Sequence, residues 1–160
     1  MTAPQTELAI REFRPGDETA FRELNEQWIV RYFALEPEDE AALRNPREKI
    51  LDPGGRIFFA VLGGEIVGCC ALRVIAPREY ELSKMAVAEQ HRGAGVGRRV
   101  LETVIAEARA MGAARLYLET NHILANAIHL YEAVGFRHLP PERIVPSPYS
   151  RADVYMELFL

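Results

Sequence analysis

The chain has 160 residues, and 49% of them are apolar, enough to fill the core of one domain spanning residues 1–160. A formal net charge of −4 argues against general binding to nucleic acid. The first ten residues, MTAPQTELAI, lack the basic and apolar regions of a signal peptide. No apolar run reaches the ~20 residues that span a membrane. We therefore expect a cytoplasmic protein with neither nucleic acid nor membrane as a partner.

The first half of the chain predicts a strand, two helices and three further strands. Alternation over residues 8–13 indicates the first strand, and the turn Pro15-Gly16-Asp17 leads into a helix ending near Phe33. Pro37 suits the first turn of a second helix, which we expect to run to about Leu51. The three strands are predicted at Ile57–Leu62, Ile66–Ile75 and Tyr80–Val87, with Gly63-Gly64 as a hairpin turn.

The second half alternates helices and strands. An apolar stripe predicts a helix over residues 96–111, with Gly112 at the position that follows a helix end. The remaining predicted elements are a strand at Arg115–Glu119, a helix at Ala125–Val134, and strands at Phe136–Leu139 and Val154–Leu158. The order β-α-α-β-β-β-α-β-α-β-β predicts the α/β class, a mixed sheet with helices on its faces.

The cysteines and histidines do not predict a metal site or a disulfide. Cys69 and Cys70 are adjacent in a predicted strand, so their side chains should point to opposite faces, and we interpret both as core residues. His122, His129 and His138 lack the spacing of metal ligands, so no metal is expected.

A glycine-rich turn between a strand and a helix is the most informative segment (ELSKMAVAEQHRGAGVG, residues 81–97). The first turn of a helix offers unpaired N–H groups and a partial positive charge, which suit a phosphate. Gly93, Gly95 and Gly97 would let the backbone approach such an anion. Arg98 and Arg99 are unfavourable at a helix N-terminus unless an anion binds there or both side chains extend into solvent, and charge alone leaves both options open.

Two common nucleotide-binding motifs do not fit this turn. A Walker A loop would end in Gly-Lys-Ser/Thr, and the dinucleotide fingerprint would need glycine at Arg98. Gln90, Gly93 and Gly95 instead match Q/R-x-x-G-x-G/A, the signature of the GCN5-related N-acetyltransferases (GNAT). The later segments RLYLETN and AIHLYEAVGF also resemble this family, and the resemblance extends over nearly the whole chain.

The resemblance implies an enzyme that uses acetyl-CoA as cosubstrate. The pantetheine arm is expected along the backbone of Met85, Ala86 and Val87, and Asn126 matches a position that often contacts this arm, although a helix-capping or solvent-facing amide is the alternative. The diphosphate is expected on the amides of Arg92, Gly93, Ala94, Gly95, Val96, Gly97 and Arg98.

The resemblance also implies an acid and a base. Tyr131 matches the residue that usually protonates the departing thiolate, although a tyrosine on such a helical stripe is more often a core residue. Glu81 is the leading candidate for the base, directly or through water, with Glu79 and Glu119 as rivals. Any of these carboxylates could instead pair with a cation such as Lys84 or Arg115.

The acceptor is the least determined part of the prediction. Trp28, Tyr32, Phe33, Tyr149 and Arg151 could line its site, and Arg151 could pair either with an acceptor carboxylate or with an acidic neighbour. We expect a primary amine of a small molecule or amino-acid derivative. The alternatives are that the acceptor is a protein N-terminus or lysine, or that the protein is a non-catalytic acyl-CoA sensor. The family resemblance also makes a homodimer plausible.

Overall fold

A computed structural model of the chain describes residues 7–160. The prediction that there is no signal peptide rests on residues 1–10, of which residues 1–6 lie outside the described part of the chain. None of the helices within residues 7–160 combines the length and apolar character required to cross a membrane.

The fold is built on a seven-stranded sheet with the strand order β1-β2-β3-β4-β5-β7-β6. Neighbouring strands are antiparallel except β4 and β5, which are parallel. This mixed sheet with helices confirms the predicted α/β fold class. The strands are β1 (Leu8–Glu12), β2 (Arg56–Leu62), β3 (Glu65–Ala76), β4 (Glu79–Val87), β5 (Arg115–Thr120), β6 (Arg137–His138) and β7 (Val154–Phe159).

Helices cover both faces of the sheet and divide the core in two. The helices are α1 (Glu18–Tyr32), α2 (Pro37–Arg44), α3 (Val96–Ala110) and α4 (Ala125–Ala133). Cys70 and Leu72 of β3 pack in the cluster with α3, whereas Cys69 and Ala71 pack in the cluster with α1 and α2. The two cysteines thus point to opposite faces, as the strand period predicts, and both are free.

The helix α3 forms where the sequence predicts it. Val96, Val100, Leu101, Val104, Ile105 and Ala108 are its buried side chains, and they make the apolar stripe continuous. Met111 caps the helix and Gly112 follows with φ +81°, the left-handed conformation that commonly ends a helix.

The predicted extent of the second helix is wrong. α2 ends at Arg44, and residues Arg47–Leu51 form a separate π-helical turn. Pro46 explains the break, because proline lacks an N–H and disfavours the helical conformation of the residue before it. Asn45 accordingly leaves the helix with φ −129° and ψ +60°.

The parallel strands β4 and β5 diverge after a short paired stretch. They pair only at Glu79 with Arg115, Tyr80 with Leu116, and Glu81 with Tyr117, although β4 continues to Val87. The register between β3 and β4 also shifts near Lys84, which has φ +50°. The result is a gap in the sheet between the last residues of β4 and the end of β5.

Candidate active site

A cavity of about 870 Å³ occupies the gap between β4 and β5. Its walls come from β4, the glycine turn with the start of α3, the first half of α4, the end of β5 and the residues around the α1–α2 junction. The segment between β6 and β7 closes one end, with Pro148, Tyr149, Arg151 and Ala152 on the cavity wall. The volume is in the range of small-molecule and cofactor sites.

The glycine turn at one end of the cavity has the geometry of an anion site. Gly93 and Gly95 adopt φ +79° and +81°, and Gly95 is the residue immediately before α3. Glycine has no side chain to cap the helix, and the first turn of α3 has no acidic residue, so the N–H groups of this turn are free to bind an anion. A Cβ placed on Gly95 would meet no atom within 4 Å, which leaves open space above the turn. These features suit the diphosphate of coenzyme A.

The two arginines of the first turn of α3 do not require an anion. Arg98 donates to Glu102, with 2.6 Å between Nε and Oε1, and Arg99 donates to the carbonyl oxygen of Leu8 at 3.2 Å. Both side chains are exposed. Both interpretations left open by the sequence are compatible with these contacts, and Arg98 also borders the cavity.

Most predicted cofactor residues border the cavity. Asn126 is exposed in the first turn of α4, and Ala94 lies in the glycine turn but does not border the cavity. The predicted cofactor residues on the cavity wall are Met85, Ala86, Val87, Arg92, Gly93, Gly95, Val96, Gly97, Arg98 and Asn126.

Tyr131 lies on α4 with its ring in the core and its hydroxyl at the cavity. The ring packs against Phe136, with 6.0 Å between the ring centroids. The hydroxyl has no hydrogen-bond partner among the described residues. Every fully buried side-chain polar atom in those residues has a partner, so the hydroxyl of Tyr131 is not fully buried. Because Tyr131 borders the cavity, we infer that its hydroxyl reaches the cavity. Burial raises the pKa of Tyr131, which keeps the phenol protonated.

Two of the three candidate bases are engaged by arginine. The carboxylate of Glu81 accepts from Nε and Nη2 of Arg73, at 3.2 and 2.5 Å, across the β3–β4 pair. Glu79 pairs with Arg115 at 3.3 Å, one of the ion pairs that the sequence suggested. Glu81 borders the cavity and Glu79 does not.

Glu119 has a different environment from its two rivals. It borders the cavity and makes no salt bridge with any described residue. Its carboxylate accepts from the hydroxyl of Ser147 at 2.5 Å and from that of Tyr117 at 3.2 Å. Burial raises the pKa of Glu119, and the nearby charge of Glu81 adds to this, against the opposing effect of the hydrogen bond from Ser147. A carboxylate with a raised pKa is a stronger base near neutral pH.

A buried ionic network lies at the opposite end of the cavity from the glycine turn. Asp39 is fully buried and accepts from Lys84 Nζ at 2.6 Å and from both terminal nitrogens of Arg151 at 2.7 and 2.6 Å. Burial alone would raise the pKa of Asp39, but the bonds from Arg151 and the charge of Lys84 lower it to about 2. Burial lowers the pKa of Lys84, partly offset by Asp39.

The predicted acceptor residues come together around this network. The guanidinium carbon of Arg151 lies 6.0, 5.8 and 4.7 Å from the ring centroids of Trp28, Phe33 and Tyr149, and Tyr32 also borders the cavity. Arg151 also bonds to Glu36 at 3.3 Å, so it pairs with acidic neighbours in the chain, the second of the two predicted options.

We call residues 147–153 the strap, because they cross the open end of the gap. On one side, the amide of Ser150 donates to Glu36 at 3.0 Å. On the other side, Asn121 donates to the carbonyl oxygen of Arg151 at 2.7 Å, and the amide of Asp153 donates to the carbonyl oxygen of Thr120 at 3.0 Å. The strap thereby connects the α1–α2 junction to the end of β5.

Sequence reasoning missed three residues of this site. Arg73 carries only a partial signal, because a turn at Pro77-Arg78 would place Val74 opposite Glu81, and the bulge between Val74 and Ala76 places Arg73 there instead. Asp39 carries a partial signal, because its spacing of three from Glu36 is that of a capping box, which the structure contains. Nothing in the sequence indicates that Ser147 reaches Glu119.

The described residues show neither a cluster of metal ligands nor a cysteine with a lowered pKa. Within residues 7–160, no group of three or more histidine, cysteine or acidic residues is arranged to hold a metal ion. Burial raises the pKa of both cysteine thiols, that of Cys69 to about 12, and this disfavours the thiolate that a nucleophile requires.

Comparison with known proteins agrees with the fold and the glycine turn. Residues 18–136 match the model of the acetyltransferase (GNAT) family, so the chain belongs to this family. The uncharacterized N-acetyltransferase YsnE of Bacillus subtilis is 35% identical over 96 residues, which cover 59% of this chain and 64% of YsnE. The IAA acetyltransferase of Azospirillum brasilense is 37% identical over 95 residues, which cover 59% of this chain and 62% of the relative. The matched segment is therefore less than two thirds of either relative.

Solved structures match over more of the chain. A GNAT-family acetyltransferase of Staphylococcus aureus has a TM-score of 0.84 at 20% identity, covering 94% of this chain and 98% of its own. The ribosomal-protein-S18-alanine N-acetyltransferase of Escherichia coli has a TM-score of 0.72 at 26% identity, covering 96% and 94%. A Salmonella typhimurium protein solved with its cofactor acetyl-CoA has a TM-score of 0.70 at 21% identity, covering 96% and 94%.

Proposed function

We propose that the protein is an acetyl-CoA-dependent N-acetyltransferase that acts on a primary amine. One observation carries the proposal: the amides of the glycine turn, the hydroxyl of Tyr131 and the carboxylate of Glu119 border the same cavity. An anion site, an acid and a base around one space are what transfer from a thioester to an amine requires.

The glycine turn and the unpaired end of β4 are the proposed donor site. The amides of residues 93–98 would hold the diphosphate, since the amide of Arg92 already donates to the carbonyl oxygen of Glu89 at 3.3 Å. The backbone of Met85, Ala86 and Val87 would bind the pantetheine arm, and Asn126 borders the same cavity. Bound acetyl-CoA supplies an acetyl group on a thiol that can leave. The Salmonella neighbour solved with acetyl-CoA supports this donor.

The proton transfers are assigned to Glu119 and Tyr131. Glu119 would accept a proton from the acceptor ammonium, since an ammonium nitrogen has no lone pair for attack. The neutral nitrogen would then bond to the acetyl carbonyl carbon while the carbon–sulfur bond breaks, and Tyr131 would donate a proton to the departing sulfur. We favour Glu119 over Glu81, because the carboxylate of Glu81 already accepts two hydrogen bonds from Arg73, whereas Glu119 forms no salt bridge with any described residue.

The charges around the cavity favour a cationic acceptor. Arg73, Lys84 and Arg151, which border the acceptor end, each have a carboxylate partner in the chain. Glu38 and Glu119 border the same cavity and form no salt bridge within the described part of the chain. Lys49 also borders the cavity and forms no salt bridge among these residues, so we base the preference for an amine over a free acid on Glu119 and on the aromatic rings near Arg151.

The acceptor is tested by measuring thiol release from acetyl-CoA over a panel of cationic amines, neutral amines, amino acids and peptides. We expect cationic small amines to be the best substrates. A protein N-terminus is the second candidate, supported by the Escherichia coli neighbour, and a preference for peptides would favour it. Tight binding of acetyl-CoA without transfer to any amine would contradict the enzyme and favour the sensor.

The base is tested by comparing Glu119→Gln with Glu81→Gln, two matched substitutions on one face of the sheet. Loss of a general base typically costs about 10²–10⁴-fold in rate, so kcat should fall by this amount in Glu119→Gln and by less in Glu81→Gln. The opposite ranking would assign the base to Glu81. Cytoplasmic location, a single domain and a homodimer stay predictions from the sequence.

A further inference from the structure

The hydrogen bond from Ser147 to Glu119 links the strap to the proposed base. The two residues are 28 positions apart in the sequence, and the oxygen atoms lie 2.5 Å apart. A hydroxyl has one proton to donate and two lone pairs to accept. The amide of Tyr149 donates to the hydroxyl oxygen of Ser147 at 3.0 Å, which fixes the serine and directs its proton to the carboxylate.

The position of Ser147 is set by the contacts that hold the strap on both sides of the gap. The strap is held at Ser150 by Glu36, at Arg151 by Asp39, and at Asp153 by the backbone of Thr120 and the amide of His122. These contacts place the serine hydroxyl within hydrogen-bonding distance of Glu119.

We propose that Ser147 is a positioning residue, whose hydroxyl holds the carboxylate of Glu119 in place and in its charged form for proton transfer from the acceptor. The inference rests on the proposed function, because Glu119 matters only if the protein deprotonates an amine. It assigns to the strap a role in the chemistry, beyond closing the cavity.

The other groups around Glu119 oppose one another. Tyr117 on β5 donates to the carboxylate, and Arg73 on β3 contributes positive charge, so both favour the charged form. Glu81 on β4 and burial favour the neutral form. The hydrogen bond from Ser147 is the contribution of the strap, and it lowers the pKa of Glu119. Removing this bond should therefore raise the pKa of the carboxylate, so that it stays protonated up to a higher pH.

The test is the pH dependence of kcat/KM for Ser147→Ala, with Ser147→Thr and Ser150→Ala as matched controls. Threonine keeps the hydroxyl, and Ser150 lies on the same strap without a side-chain contact to Glu119. In Ser147→Ala we expect the acidic limb of the pH profile to move to higher pH. At a pH on that limb, kcat/KM should fall by about three- to tenfold, whereas on the plateau at higher pH it should equal that of the unchanged protein. Both controls should follow the unchanged protein.

Two results would overturn the inference. A purely structural role would lower kcat/KM by the same factor at every pH, and an irrelevant bond would change nothing. If the unchanged protein acetylates no amine, the proposed function fails, but Ser147 can still be tested by a carbon-13 NMR titration of glutamate carboxyl groups. Glu119→Gln assigns the resonance, and a titration midpoint that does not rise in Ser147→Ala would refute the role of the serine.

Discussion

Replacing Asp39 by asparagine should be strongly destabilising, because this carboxylate is buried between two cations. Its pKa is lowered from 3.8 to about 2, which corresponds to about 2 kcal/mol in favour of the folded protein. Because the pKa is depressed on folding, this stabilisation is fully present above pH 3.8 and is lost as the pH falls towards 2. Asp39→Asn also leaves the ammonium of Lys84 without a carboxylate, and a broken buried pair costs about 3–5 kcal/mol at neutral pH.

Urea unfolding followed by the fluorescence of Trp28, the sole tryptophan, measures this loss directly. Glu26→Gln is the control, because its partner Arg22 is 4.0 Å away and both side chains are more than 40% exposed, so it should cost under about 0.5 kcal/mol. Replacing Lys84 by methionine in the Asp39→Asn protein should recover part of the loss. A cost near that of Glu26→Gln, or an unchanged acid dependence of stability, would refute the reasoning.

Two further predictions concern the donor site and the acid. Gly95→Asp should lower acetyl-CoA affinity in calorimetry by at least about tenfold, because it places a carboxylate in the proposed diphosphate turn. Gly112→Asp should leave the affinity unchanged, since Gly112 has the same φ of +81° and equally open space; equal effects would locate the diphosphate elsewhere. Tyr131→Phe should reduce kcat by about 10²-fold or more and leave acetyl-CoA affinity unchanged, whereas a parallel loss of both would indicate packing alone.

Local patterns were sufficient to predict most of the fold. The apolar stripe of α3, the hairpin at Gly63-Gly64 and the turn before Gly95 each depend on residues close together in the sequence, and all appear where expected. The predicted second helix is too long because its acidic, alanine-rich composition favours a helix, whereas Pro46 ends that helix before Leu51. Pro46 is thus a local sequence signal, and its effect on the helix is stronger than that of the surrounding composition.

The acceptor end of the site could be predicted only in part. Its aromatic residues were identifiable by type, but the partners of Arg151 lie 112 and 115 positions away in the sequence, and only the folded strap brings them together. Likewise, the sequence makes Glu81 the leading candidate for the base and Glu119 a rival, whereas we propose Glu119 from the environments of the two carboxylates. Their different environments depend on Arg73 in one case and Ser147 in the other, and both depend on tertiary structure.

The short pairing between β4 and β5 divides the proposed chemistry between two halves of the sheet. The donor amides belong to the half containing β4 and α3, whereas Tyr131 and Glu119 belong to the half containing α4 and β5. The halves are joined in the sheet by three residue pairs at one end, so the angle at that junction would set the separation between a bound thioester and the groups proposed to transfer protons. A substitution that widens the angle there would slow acetyl transfer although it touches no reacting atom, because small misplacements of reacting groups are costly.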